Sequence, residues 1–167
     1  KQSAGIHSRL LMTGILLGIG AIQPLRAGES AYGFGYSAEH SDNITLVSAN
    51  ERSDWIHSLF AGFAYQENTT DLVARVLAQA TYNQYQRNSF GDQTLFDLNS
   101  SAVWTISPQR FFWTLEDTAR QALIDSTSAD TPTNRTTVNV LSTGPDVSLR
   151  LAPVHTLTFG ARVGDVY

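Results

Sequence analysis

The sequence contains no cysteine and a single lysine, Lys1, and only 16% of its residues are charged. The absence of cysteine excludes disulfide scaffolds, Cys-ligated zinc, iron–sulfur clusters and thiol nucleophiles. Soluble domains average about 25% charged residues, so an ordinary charged surface is excluded as well. The first 27 residues hold three of the 11 Lys and Arg and none of the 15 acids, so the remainder carries a net charge of −7. An acidic chain without clustered bases is not expected to bind nucleic acid.

Motifs for catalysis or metal binding are also sparse. The segment 32–36 contains a G-x-G, but it lacks the third glycine and the following helix of a dinucleotide fold. Glu116 and Asp117 are adjacent, so on a strand they point to opposite faces and cannot act on one substrate atom. The histidines are scattered without metal-ligand spacing: His7, His40, His57 and His155. We therefore predict no metal, no cofactor and no enzymatic activity.

The N-terminal segment has the order of a secretory signal peptide. Lys1 and Arg9 precede an uncharged run over residues 10–22, and a small-residue stretch follows Pro24. The run is short for a transmembrane helix, which needs about 20 apolar residues. We predict a signal peptide over 1–27, cleaved after Ala27, and a second region over 28–167. The alternative is an uncleaved N-terminal anchor or a buried helix.

From Tyr32 onward, apolar residues recur at every second position, which is the periodicity of β-strands. The segments are long for strands, which usually have five or six residues, and each is long enough to cross a bilayer. The predicted fold is all-β, an antiparallel meander of long strands. The predicted strands cover 32–40, 54–66, 71–86, 94–107, 110–125, 135–150 and 154–167.

The predicted connections alternate between long and short. Short turns on one side and longer loops on the other are typical of transmembrane barrels in the bacterial outer membrane. The sequence therefore predicts part of an outer-membrane β-barrel, with lipid as a partner. The alternative is a secreted soluble all-β module, such as a sandwich or an adhesin-like domain.

Two sets of side chains carry this interpretation. The aromatic residues at one end of two strands predict a girdle at headgroup level: Trp104, Phe111 and Trp113. The polar residues opposite the apolar positions are candidates to line a lumen, where arginines would favour anionic chains: Arg75, Gln79, Asp97, Asn99, Glu116, Arg120, Arg150 and Arg162. Alternatively, these polar residues pair across strands and brace a plugged lumen. The sequence leaves both open.

Some segments depart from the simple alternation. Val138 and Val147 have opposite phase, which predicts a β-bulge at Gly144 and Pro145. Asp117 falls among the apolar positions of its strand, so we expect either another bulge or a place near the membrane interface. Segment 54–66 is apolar on both faces and cannot be oriented.

The strand count bears on closure. Seven strands is an odd number, whereas bacterial single-chain barrels have even numbers. We therefore expect an open sheet with exposed edges at the first and last strands. An eighth strand over 44–47 would allow closure.

The sequence resembles the outer-membrane β-barrel proteins associated with PEP-CTERM/exosortase systems. The resemblance covers about residues 32–167 and rests on the order of several short strings. These strings are Glu39 with Asp42-Asn43, residues 108–113 (PQRFFW) followed by Glu116-Asp117, Thr131-Pro132 through Asn134-Arg135, Val138-Asn139, and residues 142–145 (STGP). Members of that family are longer, so the chain resembles an N-terminal fragment of one.

The resemblance implies a non-enzymatic role in exporting exopolysaccharide or surface proteins. It implies anionic polysaccharide or export-system proteins as partners, and it supplies no catalytic residues. Two alternatives stay open: the soluble binding module and an outer-membrane barrel hydrolase. The hydrolase would need a serine and a histidine facing together on neighbouring strands, and no such pair stands out.

Overall fold

A computed structural model describes residues 28–167. The predicted signal peptide over 1–27 lies outside the described residues. The described part is all-β apart from one 3₁₀ turn over Pro132–Asn134. Its strands are β1 (Glu29–Ser41), β2 (Asp54–Asn68), β3 (Leu72–Tyr85), β4 (Gln93–Ser107), β5 (Phe111–Leu123), β6 (Arg135–Ala152), β7 (His155–Gly160) and β8 (Val163–Val166). The predicted antiparallel meander of long strands is confirmed, because each of β1 to β6 pairs antiparallel with the next strand along the chain.

The connections alternate in length as predicted. Segments 42–53, 86–92 and 124–134 join strands at one end of the sheet, which we call the loop end. Segments 69–71, 108–110 and 153–154 join them at the other end, which we call the turn end. At the turn after β4, the N–H of Arg110 donates to the carbonyl of Ser107 at 3.0 Å, and Gln109 takes a φ of 61°. No strand forms over 44–47.

Strand register divides the side chains into two faces. We call one the apolar face, since on β3 it carries Leu72, Ala74, Val76, Ala78, Ala80 and Tyr82. On β4 this face carries Thr94, Phe96, Leu98, Ser100, Ala102 and Trp104, each directly opposite one of those β3 residues. The other is the polar face, where Arg75 pairs with Ser101 and Gln79 with Asp97. The alternation read from the sequence therefore holds across strands.

Register also orients β2, which the sequence could not. Leu59 lies between Tyr36 and Tyr82, so it belongs to the apolar face. Phe60 lies between Gly35 and Thr81, so it belongs to the polar face. The Phe60 ring fills the space where a side chain at position 35 would stand, so a larger residue there would displace this ring.

The predicted bulge at Gly144 and Pro145 is wrong. Strand β6 pairs with β5 in one uninterrupted register from Arg135 to Val147. Val138 simply lies on the polar face, opposite Arg120. The opposite phases of the valines therefore reflect apolar residues on both faces, not a slip of the backbone.

The predicted seventh strand is instead two strands, β7 and β8. Both pair with β6, and their registers continue one another across the break at Ala161 and Arg162. Pro145 lies opposite this break, and a proline has no N–H to donate to the ladder. A side chain on Gly144 would collide with the carbonyl of Ala161, so glycine is needed where the two backbones meet.

The other irregularities also differ from expectation. The bulge nearest to Asp117 lies in β4, where the register with β5 shifts between Thr105 and Ser107. Strand β5 itself runs without a register shift against β6, so Asp117 stays on the apolar face. There its carboxylate accepts a hydrogen bond from the Asn139 amide at 2.7 Å.

The sheet is open and forms a single layer. Within residues 28–167, β1 pairs only with β2, and the path ends at β7 and β8 on β6. The apolar residues buried in this region are few and mostly small: Ala74, Tyr85, Ala102 and Ala119. No second layer covers the apolar face in the described chain.

Candidate functional site

A cavity of about 820 Å³ lies on the polar face. Each of β1 to β6 contributes two polar-face residues to its lining, so the sheet curls around this face and makes it concave. The small and apolar part of the lining, which we call the small wall, comes from β1 and β2 on one side of the sheet, from β6 on the other, and from Leu77: Ala31, Gly33, Gly62, Ala64, Leu77, Val138 and Val140. The polar part, which we call the polar wall, comes from β3, β4 and β5 between them: Gln79, Asp97, Asn99, Thr118 and Arg120.

The small wall keeps the cavity wide. Gly33 and Gly62 pair directly across β1 and β2, next to the pair formed by Ala31 and Ala64. Nothing stands within 4 Å of where a Cβ of Gly33 would lie. Larger side chains on this wall would therefore fill the cavity.

The structure brings the eight predicted lumen residues to one surface. Strand alternation places seven of them on the polar face of β3 to β6. The eighth, Arg162, lies in the break between β7 and β8 and reaches the same face, where it pairs with Asp146 at 2.7 Å. The Thr114 hydroxyl donates to the same carboxylate oxygen of Asp146 at 2.8 Å.

Few of these eight residues are braced by others. Arg150 donates to the backbone carbonyls of Ala152 and Pro153, and Gln79 donates to Thr81 on its own strand. The remaining five make no side-chain hydrogen bond or ion pair with any residue of 28–167: Arg75, Asp97, Asn99, Glu116 and Arg120. Pairing across strands therefore accounts for Arg162 alone, since Arg150 bonds only its own turn, and the central polar groups are available to water or solutes. Their lining of a lumen stays a prediction.

The loop end of the concave face is organised by Asp54, which sequence reasoning missed. Its side chain is 0% exposed. One carboxylate oxygen accepts the N–H groups of Trp55 and Arg87, both at 2.8 Å, and the other accepts the N–H of Ser89 at 3.1 Å. An aspartate between a polar loop and a strand looks like a loop residue in sequence, because two of its three partners, Arg87 and Ser89, lie more than 30 positions away.

A second contact draws another loop to this end. The Gln93 side-chain amide donates to the carbonyl of Pro132 at 3.1 Å, which joins the start of β4 to the loop before β6. Tyr85 is buried nearby, edge-on against Phe90. Two of the three long connections thus converge at the loop end of the polar face.

The apolar face carries aromatic rings at both ends. At the turn end, Trp104 is directly opposite Trp113, whose indole N–H donates to the Thr143 hydroxyl at 2.8 Å. Phe111 lies on the same face two residues before Trp113. At the loop end, Tyr36 and Tyr82 flank Leu59 in one row. The predicted aromatic group is therefore clustered, and its place in a membrane girdle stays a prediction.

Two histidines, His40 and His57, contact the aromatic side chains at the loop end of the apolar face. The Tyr36 hydroxyl forms a hydrogen bond with Nδ1 of His57 at 2.6 Å. The ring centroids of Trp55 and His40 lie 5.0 Å apart. His40 lies 3.4 Å from Asp42. Within residues 28–167, no group of three or more His, Asp or Glu side chains is placed to hold a metal ion.

Neither a membrane-spanning helix in the described residues nor a match to a known protein identifies the chain. In the described part of the chain, no helix is long and apolar enough to cross a membrane. No protein-family model, curated protein or solved structure matches the chain. The resemblance to the PEP-CTERM/exosortase-associated barrels stays a prediction.

Proposed function

We propose that the chain forms part of a non-enzymatic outer-membrane β-barrel that assists the export of exopolysaccharide or surface proteins in a PEP-CTERM/exosortase-type system. In this proposal the apolar face contacts lipid and the concave polar face lines the path of the exported chain. The proposal rests on the two faces of the sheet and on the resemblance in sequence.

The spacing of the aromatic rows carries the proposal. The row with Tyr82 and the row with Trp104 lie ten residues apart along β3, at Tyr82 and Leu72, and along β4, at Thr94 and Trp104. Ten residues of antiparallel strand span about 34 Å. At the 35–45° tilt of membrane strands this is about 25 Å across the bilayer, the height of the apolar band in outer-membrane barrels. The apolar-face residues between the two rows on these strands are uncharged.

The single layer supports the same proposal. Tyr32 is 76% exposed and Phe34 64% exposed on the apolar face of β1. A soluble sandwich covers such a face with a second sheet about 10 Å away. Lipid would cover it instead, and the hydrogen-bonded strands satisfy the backbone groups in lipid.

The polar wall suggests the chemistry of the path. Arg120 lines the cavity and makes no side-chain hydrogen bond or ion pair among residues 28–167. A guanidinium binds carboxylate and phosphate groups in bidentate fashion, so it suits an anionic chain. Asp97 and Asn99 add acceptors for hydroxyl groups.

The proposal is tested first by location. Cell envelopes that contain the native protein should release it only with detergent. Release by osmotic shock would contradict the proposal and support the secreted binding module.

The second test addresses export. Arg120→Ala should leave the protein in the outer membrane and reduce exported anionic polymer several-fold. Arg52→Ala, in the exposed loop 42–53, is the matched control and should export normally. Loss of Arg120→Ala from the membrane would show that Arg120 serves assembly instead.

A further inference from the structure

Unpaired charges on the polar face fall into two couples, each with one arginine and one acid. In the first couple, Arg75 of β3 and Glu116 of β5 lie on either side of Ser101 in one row across the sheet. In the second couple, Asp97 of β4 and Arg120 of β5 are neighbours across strands. All four side chains are exposed, and neither couple forms an ion pair within residues 28–167. Opposite charges on neighbouring strands usually pair, so these open couples need another explanation.

The second couple lies where the pairing of its two strands ends. The last pair between β4 and β5 is Leu98 with Ala119, directly before Asp97 and Arg120. Strand β4 continues to pair with β3 up to its first residue, and β5 continues to pair with β6 up to its last residue. Asp97 and Arg120 both line the cavity, so one ligand in the cavity can contact both charges.

The two couples follow one another along the strands. On β5 they are four residues apart, at Glu116 and Arg120, which corresponds to about 14 Å of strand. Asn99 lies between them on β4, two residues from Ser101 and two from Asp97, and its amide is also without a partner among residues 28–167. The unpaired groups therefore form a line from the turn end toward the loop end, which we call the polar track.

The chemistry of the polar track matches a chain of acidic sugars. A guanidinium holds a carboxylate through two parallel hydrogen bonds. The acid beside each arginine accepts hydrogen bonds from hydroxyl groups, and the amide of Asn99 both donates and accepts. The same acids repel a densely charged chain such as polyphosphate, which has no hydroxyl groups to offer them. An acidic peptide satisfies the arginines but likewise leaves the acids without donors.

We infer that the polar track binds a polysaccharide whose sugars each carry one carboxylate beside free hydroxyl groups, and that Asp97 selects the hydroxyl-bearing chain. Gly33 and Gly62 pair on the small wall of the same cavity, which leaves room for sugar rings. The inference deepens the proposed function and rests on it in one respect, because it takes the polar face as the path of the exported chain.

Binding to the full chain in detergent micelles tests the polar track. The probe is a fluorescent hexamer of galacturonic acid, whose anisotropy should show saturable binding. Arg75→Gln and Arg120→Gln should each weaken binding at least fivefold, because each removes one carboxylate contact. Arg52→Gln, in the exposed loop 42–53, is the matched control and should bind like the native chain. A dimer of galacturonic acid is too short to reach both couples, so it should bind at least tenfold more weakly than the hexamer.

Two further probes test the selection by Asp97. A glutamate hexapeptide and a polyphosphate of six units carry dense negative charge without sugar hydroxyl groups. The native chain should prefer the galacturonate hexamer at least tenfold over both. Asp97→Ala should reduce this preference at least fivefold, whereas Glu51→Ala, in the exposed loop 42–53, should leave it unchanged. All these substitutions replace exposed side chains, so circular dichroism should show an unchanged fold.

Several results would overturn the inference. The native chain would fail to bind the hexamer, both arginine variants would bind it normally, or the dimer would bind as tightly as the hexamer. Equal or tighter binding of the glutamate peptide or polyphosphate, or an unchanged preference in Asp97→Ala, would overturn the selection of sugars. Binding in micelles depends neither on location nor on export. Detergent-dependent extraction from cell envelopes therefore tests the proposed function separately, and the two can fail independently.

Discussion

The two halves of the sheet differ on the apolar face. Across β3 and β4 this face is uncharged from the loop-end row to the turn-end row. Across β5, β6 and β8 the same face carries Asp117, Asn139 and Asp165 in its middle. The apolar stretch on β5 runs only from Phe111 to Leu115 before Asp117. A full-depth lipid surface is therefore expected on the first half and a shallower one on the second.

The halves also differ at the loop end. In the first half, the buried Asp54 holds the loop 86–92 through backbone N–H groups. In the second half, the loop 124–134 is held at the surface, where the Asn134 side chain bonds the backbone of Asp125 and Ala129. Burial makes each contact more expensive to lose, so the first half should be the more sensitive to mutation.

The largest effect is expected from charges placed on the apolar face of the first half, which the proposed function assigns to lipid. Ala78 and Leu98 are directly opposite each other in the middle of the apolar face. An arginine facing lipid at the midplane costs about 2–4 kcal/mol, so Ala78→Arg with Leu98→Arg should cost about 4 kcal/mol or more in folding into bilayers. Gln79→Arg with Asn99→Arg is the matched control on the polar face and should cost far less. Equal costs for the two pairs, measured by urea titration in bilayers, would refute the lipid-facing assignment.

A smaller effect is expected at the loop end. Asp54→Ala leaves three backbone N–H groups without their acceptor in a buried site, which should cost about 3 kcal/mol of stability. Asp125→Ala, in the exposed loop of the other half, should cost less than about 1 kcal/mol. Both are measured as shifts in the denaturation midpoint. A larger loss for Asp125→Ala would reverse the comparison.

The charge of Asp117, in the second half of the sheet, should have little effect on the free energy of insertion into a bilayer. Asp117→Asn removes the charge and leaves an amide oxygen to accept from Asn139. If this part of the face lies near the interface, insertion should change by less than about 1 kcal/mol. An improvement of 2 kcal/mol or more would mean that Asp117 faces the bilayer core.

The smallest effect concerns pH at the loop 124–134. The hydroxyls of Ser128 and Thr127, with the backbone N–H of Thr127, lower the pKa of Asp125 to about 2. Because the folded pKa is lowered, these contacts stabilise the loop above pH 3.8 and are lost as the pH falls through about 2. A carboxyl-carbon NMR titration should give a midpoint near 2, and Ser128→Ala should move it upward. An ordinary midpoint near 4 would contradict the described loop.

Much of the sheet could be predicted from sequence because strand alternation is local. The alternation over 94–107 predicts β4 to within one residue, and the predicted strand 54–66 begins at the first residue of β2. The break between β7 and β8 could not be predicted, because its cause is Pro145 on the neighbouring strand. Register is a property of pairs of strands, so the face on which Val138 or a residue of β2 lies can be assigned only when the neighbouring strands are known. Asp54 was missed for the same reason.

The three native tryptophans provide the most direct test of the central claim that the apolar face contacts lipid. Trp55 lies at the loop end of this face, and Trp104 and Trp113 lie at its turn end. In bilayers with brominated lipids, their fluorescence should be strongly quenched, more by bromines near the headgroups than by bromines near the midplane, and acrylamide should quench weakly. Strong quenching by acrylamide with none by brominated lipid would contradict the account.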